Sequence, residues 1–305
     1  MKKLFFSAVF GAAFLTSQAF ACACGASLTD VASSALIPNK KGGLMFLQYD
    51  SISQDKNFSG SKRSVEGHNH HKKIDTQMVT LGGQYMFNRD FGLTARVPYV
   101  LRQDYMVHHH HGVNEASIGK TKALGDVKIT GIYSGLLDDM SLGLIFGAKL
   151  PTGETNNPDM HAQMQAGSGS YDAILGLYYK TNISQNSGIF SQIMTQKPIE
   201  TKHNFAPGTE TNFAVGSYYN LGKIGFFDNV SPILQVIGSH KSRDSKMSSD
   251  NENSGYKRVF IAPAIEINFD KIKIYGDIEL PIYEYVNGNQ LNVGKVVKII
   301  VGYNF

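Results

Sequence analysis

The chain has 305 residues, with 42% hydrophobic and 18% charged side chains and a formal net charge of +4. The charges are spread along the chain, so the sequence lacks the clustered basic patch of a nucleic-acid-binding protein and we expect no nucleic-acid partner. Its 31 glycines, 15 tyrosines and 18 phenylalanines are typical of a β-rich protein with aromatic borders. After the first residues, no apolar stretch approaches the roughly eighteen residues that a transmembrane helix needs.

Residues 1–21 are predicted to be a cleaved signal peptide, because two lysines precede an apolar run over residues 4–15 and an A-x-A cleavage site ends at Ala21. Residues 22–42 form a predicted periplasmic leader that begins with Cys22, Ala23, Cys24 and Gly25. The chain has 2 cysteines, both in this motif, so no disulfide can crosslink the rest of it. Lipidation of Cys22 is the alternative for this end, but residues 19 and 20 fit a lipidation box poorly.

Residues 43–305 are predicted to form an all-β domain, a transmembrane antiparallel β-barrel of about twelve strands. In the last strand Val297, Ile299, Val301, Tyr303 and Phe305 share one face, which is the period of two expected for a strand. This resembles the closing strand of bacterial outer-membrane barrels, whose final phenylalanine is recognised by the barrel assembly machinery. The predicted strands are residues 44–53, 74–87, 91–105, 125–135, 141–150, 170–181, 188–196, 211–220, 231–240, 256–269, 271–285 and 294–305.

The connections between these strands are asymmetric, which favours a membrane barrel over the alternative of a secreted soluble one. Every second connection is predicted to be tight, at residues 88–90, 138–139, 182–187 and 270. The others are long and polar, at residues 54–73, 106–124, 151–169, 197–210, 241–255 and 286–293. Short turns at one end and long loops at the other are the usual construction of outer-membrane barrels. We therefore expect the protein to lie in the bacterial outer membrane, in contact with its lipid, with the long loops outside.

Five motifs follow one another through the predicted barrel: ALGDV at residues 123–127, GAKLPTGE at 147–154, GSGSYD at 167–172, LPIY at 280–283 and VNGNQL at 286–291. In this order and spacing they resemble the bacterial outer-membrane family labelled transporter or phenol-degradation meta-pathway proteins. The resemblance implies an outer-membrane barrel through which small compounds pass, hydrophobic ones among them. Some members carry a longer C-x-C-G-C-G leader, and Ala26 stands here where a further cysteine would be.

The polar faces of the strands are predicted to line the barrel lumen. Successive side chains of a strand point to opposite faces, so charges that alternate with apolar residues share the inner face. Mixed signs at this density fit both a salt-bridged interior and a selective pore lining, and a barrel of this size can be plugged or conducting. The predicted lumen residues are Arg96, Arg102, Asp126, Lys128, Lys149, Arg258, Glu266, Lys273, Asp277, Glu279 and Lys298.

The 10 histidines concentrate in the predicted long loops. Neutral imidazole binds zinc and copper, and loop methionines such as Met106 and Met160 would favour Cu(I), so copper or zinc at the loops is the hypothesis that this pattern favours, with no cofactor required. The C-x-C pair of the leader adds a partial thiolate site. The alternative is that polar tracts accumulate in loop tips without function. The candidate metal ligands are His68, His70, His71, His108, His109, His110, His111, Cys22 and Cys24.

The sequence offers no catalytic constellation, because histidine is absent from the interiors of the predicted strands and no H-E-x-x-H, nucleophile-elbow or phosphate-binding motif occurs. We therefore predict that the protein is not an enzyme. The predicted function is a porin-like channel or transporter for a small molecule or a metal ion. The alternative is a non-conducting surface barrel whose loops bind metal or adhere. A channel for hydrophobic compounds, implied by the family resemblance, is disfavoured by the charged lumen.

Overall fold

The computed structural model describes residues 36–38, 41–64, 70–110, 113–202, 204–246 and 251–305. Within these ranges the strands are β1 (Gly42–Gln54), β2 (Lys56–Gly60), β3 (Lys62–Arg63), β4 (His71–Met86), β5 (Phe91–His110), β6 (Val113–Leu124), β7 (Val127–Tyr133), β8 (Leu142–Leu150), β9 (Ser170–Asn182), β10 (Ser187–Thr201), β11 (Glu210–Tyr219), β12 (Asn229–Lys241), β13 (Tyr256–Phe269), β14 (Ile272–Asn292) and β15 (Lys295–Asn304). A short 3-10 turn covers Ala162–Met164 in the connection between β8 and β9.

These strands form one antiparallel sheet that closes on itself. In the described part of the chain, the order around the barrel is β1, β4, β5, β7 and then β8 to β15, which gives 12 strand positions and confirms the predicted fold class. Closure is made by β15 against β1, from Leu44 opposite Asn304 to Ser53 opposite Lys295. A closed barrel pairs every strand on both sides, so its stability does not depend on a covalent crosslink.

The two faces of the sheet have opposite character, as the sequence alternation predicts. Ile282 is 60% exposed on the outer face, whereas Glu279 of the same strand is fully buried inside. In β5 the outer face carries Phe91, Leu93 and Val97, all more than a third exposed. An apolar outside around a charged inside is the reverse of a soluble protein and is the pattern of a lipid-facing barrel. None of the helical segments in the described ranges has the length and apolar character that a membrane crossing requires.

One end of the barrel, here the turn end, carries compact connections. Asn88 Oδ1 accepts hydrogen bonds from the backbone N–H groups of Asp90 and Phe91, at 2.8 and 2.7 Å, which fixes the predicted turn between β4 and β5. At the next turn Asp139 accepts hydrogen bonds from Ser141, and these bonds lower the pKa of the Asp139 carboxyl. The connection over residues 220–228, between β11 and β12, is longer than the other turns and was not predicted as tight.

The opposite end, here the loop end, is more regular than predicted. The predicted loop over residues 106–124 is wrong, because β5 continues to His110 and pairs with β6 as a long hairpin. The predicted loop over residues 286–293 is also wrong, because β14 continues to Asn292 and pairs there with β2. In both places backbone N–H and C=O groups pair between neighbouring strands, which satisfies them beyond the apolar band of the barrel. The connection over residues 151–169 is a loop, as predicted, and of the predicted loop over residues 241–255 the described part begins after Lys241, where β12 ends.

The wall is interrupted where β5 exchanges its neighbour. Arg96 pairs with Lys128 of β7, but from Tyr99 onward β5 pairs with β6, starting at Leu124. Between them the Gly125 N–H donates to the Pro98 carbonyl at 2.8 Å. The N–H of Val127, the first residue of β7, donates at 2.9 Å to the hydroxyl of Thr152, which belongs to the loop after β8. A loop side chain thus supplies a hydrogen bond within the barrel wall.

Candidate functional site

The structure places the predicted lumen residues on the inner face of the barrel. Arg102 is 5%, Lys149 4% and Glu279 0% exposed, so each charged group is enclosed by its surroundings. Glu266 and Lys273 lie nearer the turn end, where their side chains are 3.7 Å apart and more accessible. Because buried charges are costly unless they are paired, the partner of each one indicates whether it is structural or available to a solute.

Ion pairs and hydrogen bonds between buried side chains cover the inner face of the wall formed by β12 to β15. Lys298 Nζ lies 3.2 Å from Glu279 Oε1, and Arg258 Nε lies 2.7 Å from Glu284 Oε1. The hydroxyl of Tyr275 donates at 2.7 Å to Asp277 Oδ2. The two ion pairs join neighbouring strands, and Asp277 also accepts a hydrogen bond at 3.2 Å from Gln235 Nε2 of β12. The charges predicted at Arg258, Asp277, Glu279 and Lys298 therefore belong mainly to the architecture of the wall.

A second network surrounds Lys149 on the other side of the lumen. Its Nζ lies 2.9 Å from Asp172 Oδ2 and 3.3 Å from Asp126 Oδ2, and it also donates to the hydroxyls of Ser168 and Ser170. These residues come from the motifs at residues 123–127, 147–154 and 167–172, which are distant in sequence. The motifs therefore build one buried cluster that holds a single cation between two carboxylates.

The same cluster holds the loop over residues 151–169 inside the barrel. Asp126 accepts from the Gly153 N–H at 3.0 Å and from the Ser168 N–H at 2.8 Å. A Cβ added to Gly153 would lie 2.6 Å from the Cα of Gly167 and 2.9 Å from that of Gly125, so the backbones approach as only glycine allows. The loop is thus pinned at both of its ends to the wall.

Farther along the loop, Arg102 holds its tip. Arg102 Nη1 donates at 2.8 Å to the carbonyl of Met164, and Nε donates at 3.0 Å to the hydroxyl of Thr76 on the neighbouring strand. Met164 is 1% exposed and packs with Ile74 and Leu291 of the wall. The loop therefore covers the lumen from the loop end, while a wall residue satisfies its backbone.

Beneath this loop lies a cavity of about 190 Å³, here called the outer cavity. Arg96, Arg102, Lys128, Lys149 and Lys241 line it together with two acidic residues. A smaller cavity of about 60 Å³, the inner cavity, lies on the side of the turn end. Among the described residues, Arg96 and Lys128 line both cavities, so these two side chains lie on the wall where one cavity adjoins the other.

The inner cavity is covered by residues 36–38 of the predicted leader. Ile37 is 6% exposed and packs in a cluster with Phe46, Tyr178 and Phe190 of the barrel. Pro38 lines both the inner cavity and a wider polar vestibule of about 540 Å³ at the turn end. This part of the leader thus lies inside the barrel, between the inner cavity and the vestibule.

The predicted metal ligands fall in several different environments. His71 belongs to β4 rather than to a loop, is 2% exposed, and lies with Nδ1 2.7 Å from Asp104 Oδ2. The backbone positions of His108, His109 and His110 are in β5, which corrects their predicted loop location. Within the described ranges, no three His, Cys, Asp or Glu side chains are grouped to hold a metal ion. Cys22, Cys24, His68 and His111 lie outside these ranges.

Some residues of the site were not predicted from the sequence. Asp172 is the nearer carboxylate of the Lys149 cluster, and its motif GSGSYD indicates only a loop entering a strand. Glu284 was missed because the pairing of β13 with β14 shifts between Val259 and Phe260. This irregularity moves Glu284 to the inner face, although it is an odd number of residues from the inward Asp277 and Glu279.

Comparisons with family models and with curated proteins give no match. Solved structures are similar, however: an outer-membrane channel from Pseudomonas putida F1 has a TM-score of 0.68 at 11% identity, covering 90% of this chain and 100% of that one. The fold is that of an outer-membrane β-barrel. The β domain of the Bordetella autotransporter BrkA has a TM-score of 0.53 at 12% identity, covering 87% of this chain and 100% of that one. At these identities the likeness concerns the fold.

Proposed function

We propose that the protein is a channel of the bacterial outer membrane for small anionic compounds. The apolar outer face would contact lipid, and the terminal Phe305 would be recognised by the barrel assembly machinery. The observation that carries the proposal is that Arg96 and Lys128 line both the outer and the inner cavity, which follow one another along the lumen. A solute that crosses the barrel by this path has to pass both side chains.

Arg96 and Lys128 are directly opposite each other in the pairing of β5 with β7. Like charges placed opposite each other on one face of a sheet are destabilising. A cationic pair that lines a path lowers the energy of an anion there and raises that of a cation. The arrangement therefore favours compounds that carry a carboxylate or another anionic group.

The test is ion selectivity of the refolded protein in a planar bilayer under a KCl gradient. For the native chain we expect a reversal potential with the sign of a chloride-selective channel. For the double variant Arg96→Gln, Lys128→Gln we expect this potential to shift toward zero. Lys257→Gln provides the control, because Lys257 is exposed on the outer face of β13. An unchanged reversal potential in the double variant would refute the selectivity. A folded barrel without any conductance would favour the non-conducting surface barrel.

The family resemblance implies a different substrate class, small hydrophobic compounds. Neutral aromatic compounds that cross proteoliposomes as fast in the double variant as in the native protein would support it over anion passage. We further propose that six of the histidines predicted as metal ligands collect transition-metal ions at the surface: His68, His70, His108, His109, His110 and His111. Imidazole-rich tracts bind such ions without a fixed geometry.

A further inference from the structure

His71 has the surroundings of a metal-binding histidine. Its Nδ1 lies 2.7 Å from Asp104 Oδ2 and 2.9 Å from Oδ1, and both side chains are almost fully buried. A carboxylate that holds one ring nitrogen fixes the orientation of the imidazole and increases the basicity of the other nitrogen, which is the usual arrangement behind a metal-binding histidine. This pair is built into two paired strands, β4 and β5.

A second imidazole lies beside it. The ring centroids of His71 and His161 are 5.5 Å apart, with an interplanar angle of 76°. Two imidazoles that bind one metal at about 2.0 Å have their centroids about 3.2 Å from it, so this separation corresponds to an angle of about 120° at the metal. His161 comes from the loop over residues 151–169, which the Lys149 cluster and Arg102 hold inside the barrel.

Two thioethers converge on the same place. Met106 is opposite His71 in the pairing of β4 with β5, and Met160 directly precedes His161. A Cβ added to Gly119 would lie 2.8 Å from Met160 Sδ and 3.4 Å from Met106 Cε, so both side chains cover Gly119. Gly119 is in turn opposite Asp104 in the pairing of β5 with β6. The two thioethers thus lie over Gly119, beside the strands that carry the His71–Asp104 pair.

We infer that His71, His161, Met106 and Met160 form a binding site for Cu(I), with Asp104 as the positioning residue. Thioether sulfur is a soft ligand that selects Cu(I) over Zn²⁺, and imidazole suits copper as well. The site does not depend on whether the lumen conducts, since its residues are at the loop end and do not include Arg96 or Lys128.

The test is Cu(I) binding to the full mature chain, refolded in detergent, in competition with a chromophoric Cu(I) chelator. We expect one tight Cu(I) site with sulfur and nitrogen ligands in the X-ray absorption spectrum, and Ag(I) as a competitor. The double variant Met106→Leu, Met160→Leu preserves side-chain volume and should fold. It should bind Cu(I) about tenfold or more weakly, because a ligand is worth at least as much as an outer partner.

Met45→Leu is the matched control, since Met45 is 54% exposed on the outer face and should leave binding unchanged. Asp104→Asn should weaken Cu(I) binding by about 10- to 100-fold through loss of the carboxylate behind His71. Equal Cu(I) affinity in the native chain and the methionine double variant would overturn the inference. So would loss of the tight site on replacing residues 108–111 by alanine, because the binding would then belong to the histidine tract.

Discussion

The burial of Ile37 predicts how strongly residues 36–38 are held inside the barrel. Burying an aliphatic side chain contributes about 1.5–3 kcal/mol relative to leaving it exposed, and Ile37 is 6% exposed inside the barrel. Alanine retains part of this contribution, so Ile37→Ala should weaken the seating of residues 36–38 by about 1–2 kcal/mol. That difference is a factor of about 5–30 in the ratio of seated to released leader.

The assay is the open probability of single channels in a planar bilayer. We expect Ile37→Ala to increase the ratio of open to closed time by about the factor given above, with the same single-channel conductance while open. The control is Ile199→Ala, because Ile199 is 74% exposed and its truncation leaves the lumen unchanged. An open probability that is the same in Ile37→Ala and in the native protein would refute the reasoning that this segment closes the path.

Two further predictions concern the loop over residues 151–169. Lys149→Met removes the cation between Asp126 and Asp172, so the buried carboxylates lose compensation and the free energy of unfolding should fall by about 3–5 kcal/mol. Urea unfolding in detergent measures it, and an unchanged midpoint would contradict the role assigned to Lys149. Gly153→Ala should release the loop and make it sensitive to protease, because the new Cβ meets backbone atoms. Gly83→Ala has no heavy atom within 4 Å of its new Cβ and should stay resistant.

Much of the barrel could be predicted because the membrane pattern is local. Each strand separates apolar from polar residues with a period of two, so Ile282 and Glu279 could be assigned to opposite faces without the structure. The rule fails where the pairing slips. Glu284 follows the irregularity in β14, and its inward position depends on how β13 pairs with β14. The sequence of one strand alone does not contain this information about its neighbour.

The interior of the site could not be predicted for a different physical reason. The loop over residues 151–169 has no period, and its inward position results from contacts of Asp126, Lys149 and Arg102 with segments distant in sequence. The motifs around these residues indicated a resemblance but not a common cluster. Likewise, a histidine in a polar stretch indicates a loop tip, whereas the hydrogen-bonded Asp104 that draws His71 into β4 is 33 residues away.

The interruption beside β5 couples the opening of the lumen to the hydrogen bonding of the barrel wall. At Pro98 the strand has no N–H to give, and the N–H of Val127 donates to Thr152 of the loop instead of to a wall strand. A movement that lifts the loop out of the lumen would therefore break the hydrogen bond between Val127 and Thr152. The Val127 N–H would then be an unsatisfied backbone donor in the part of the wall that contacts lipid. The loop is therefore an attached part of the barrel wall rather than a plug that can leave the lumen independently. Widening the path by loop movement would need water or lipid headgroups to reach the Val127 N–H and replace its lost hydrogen bond.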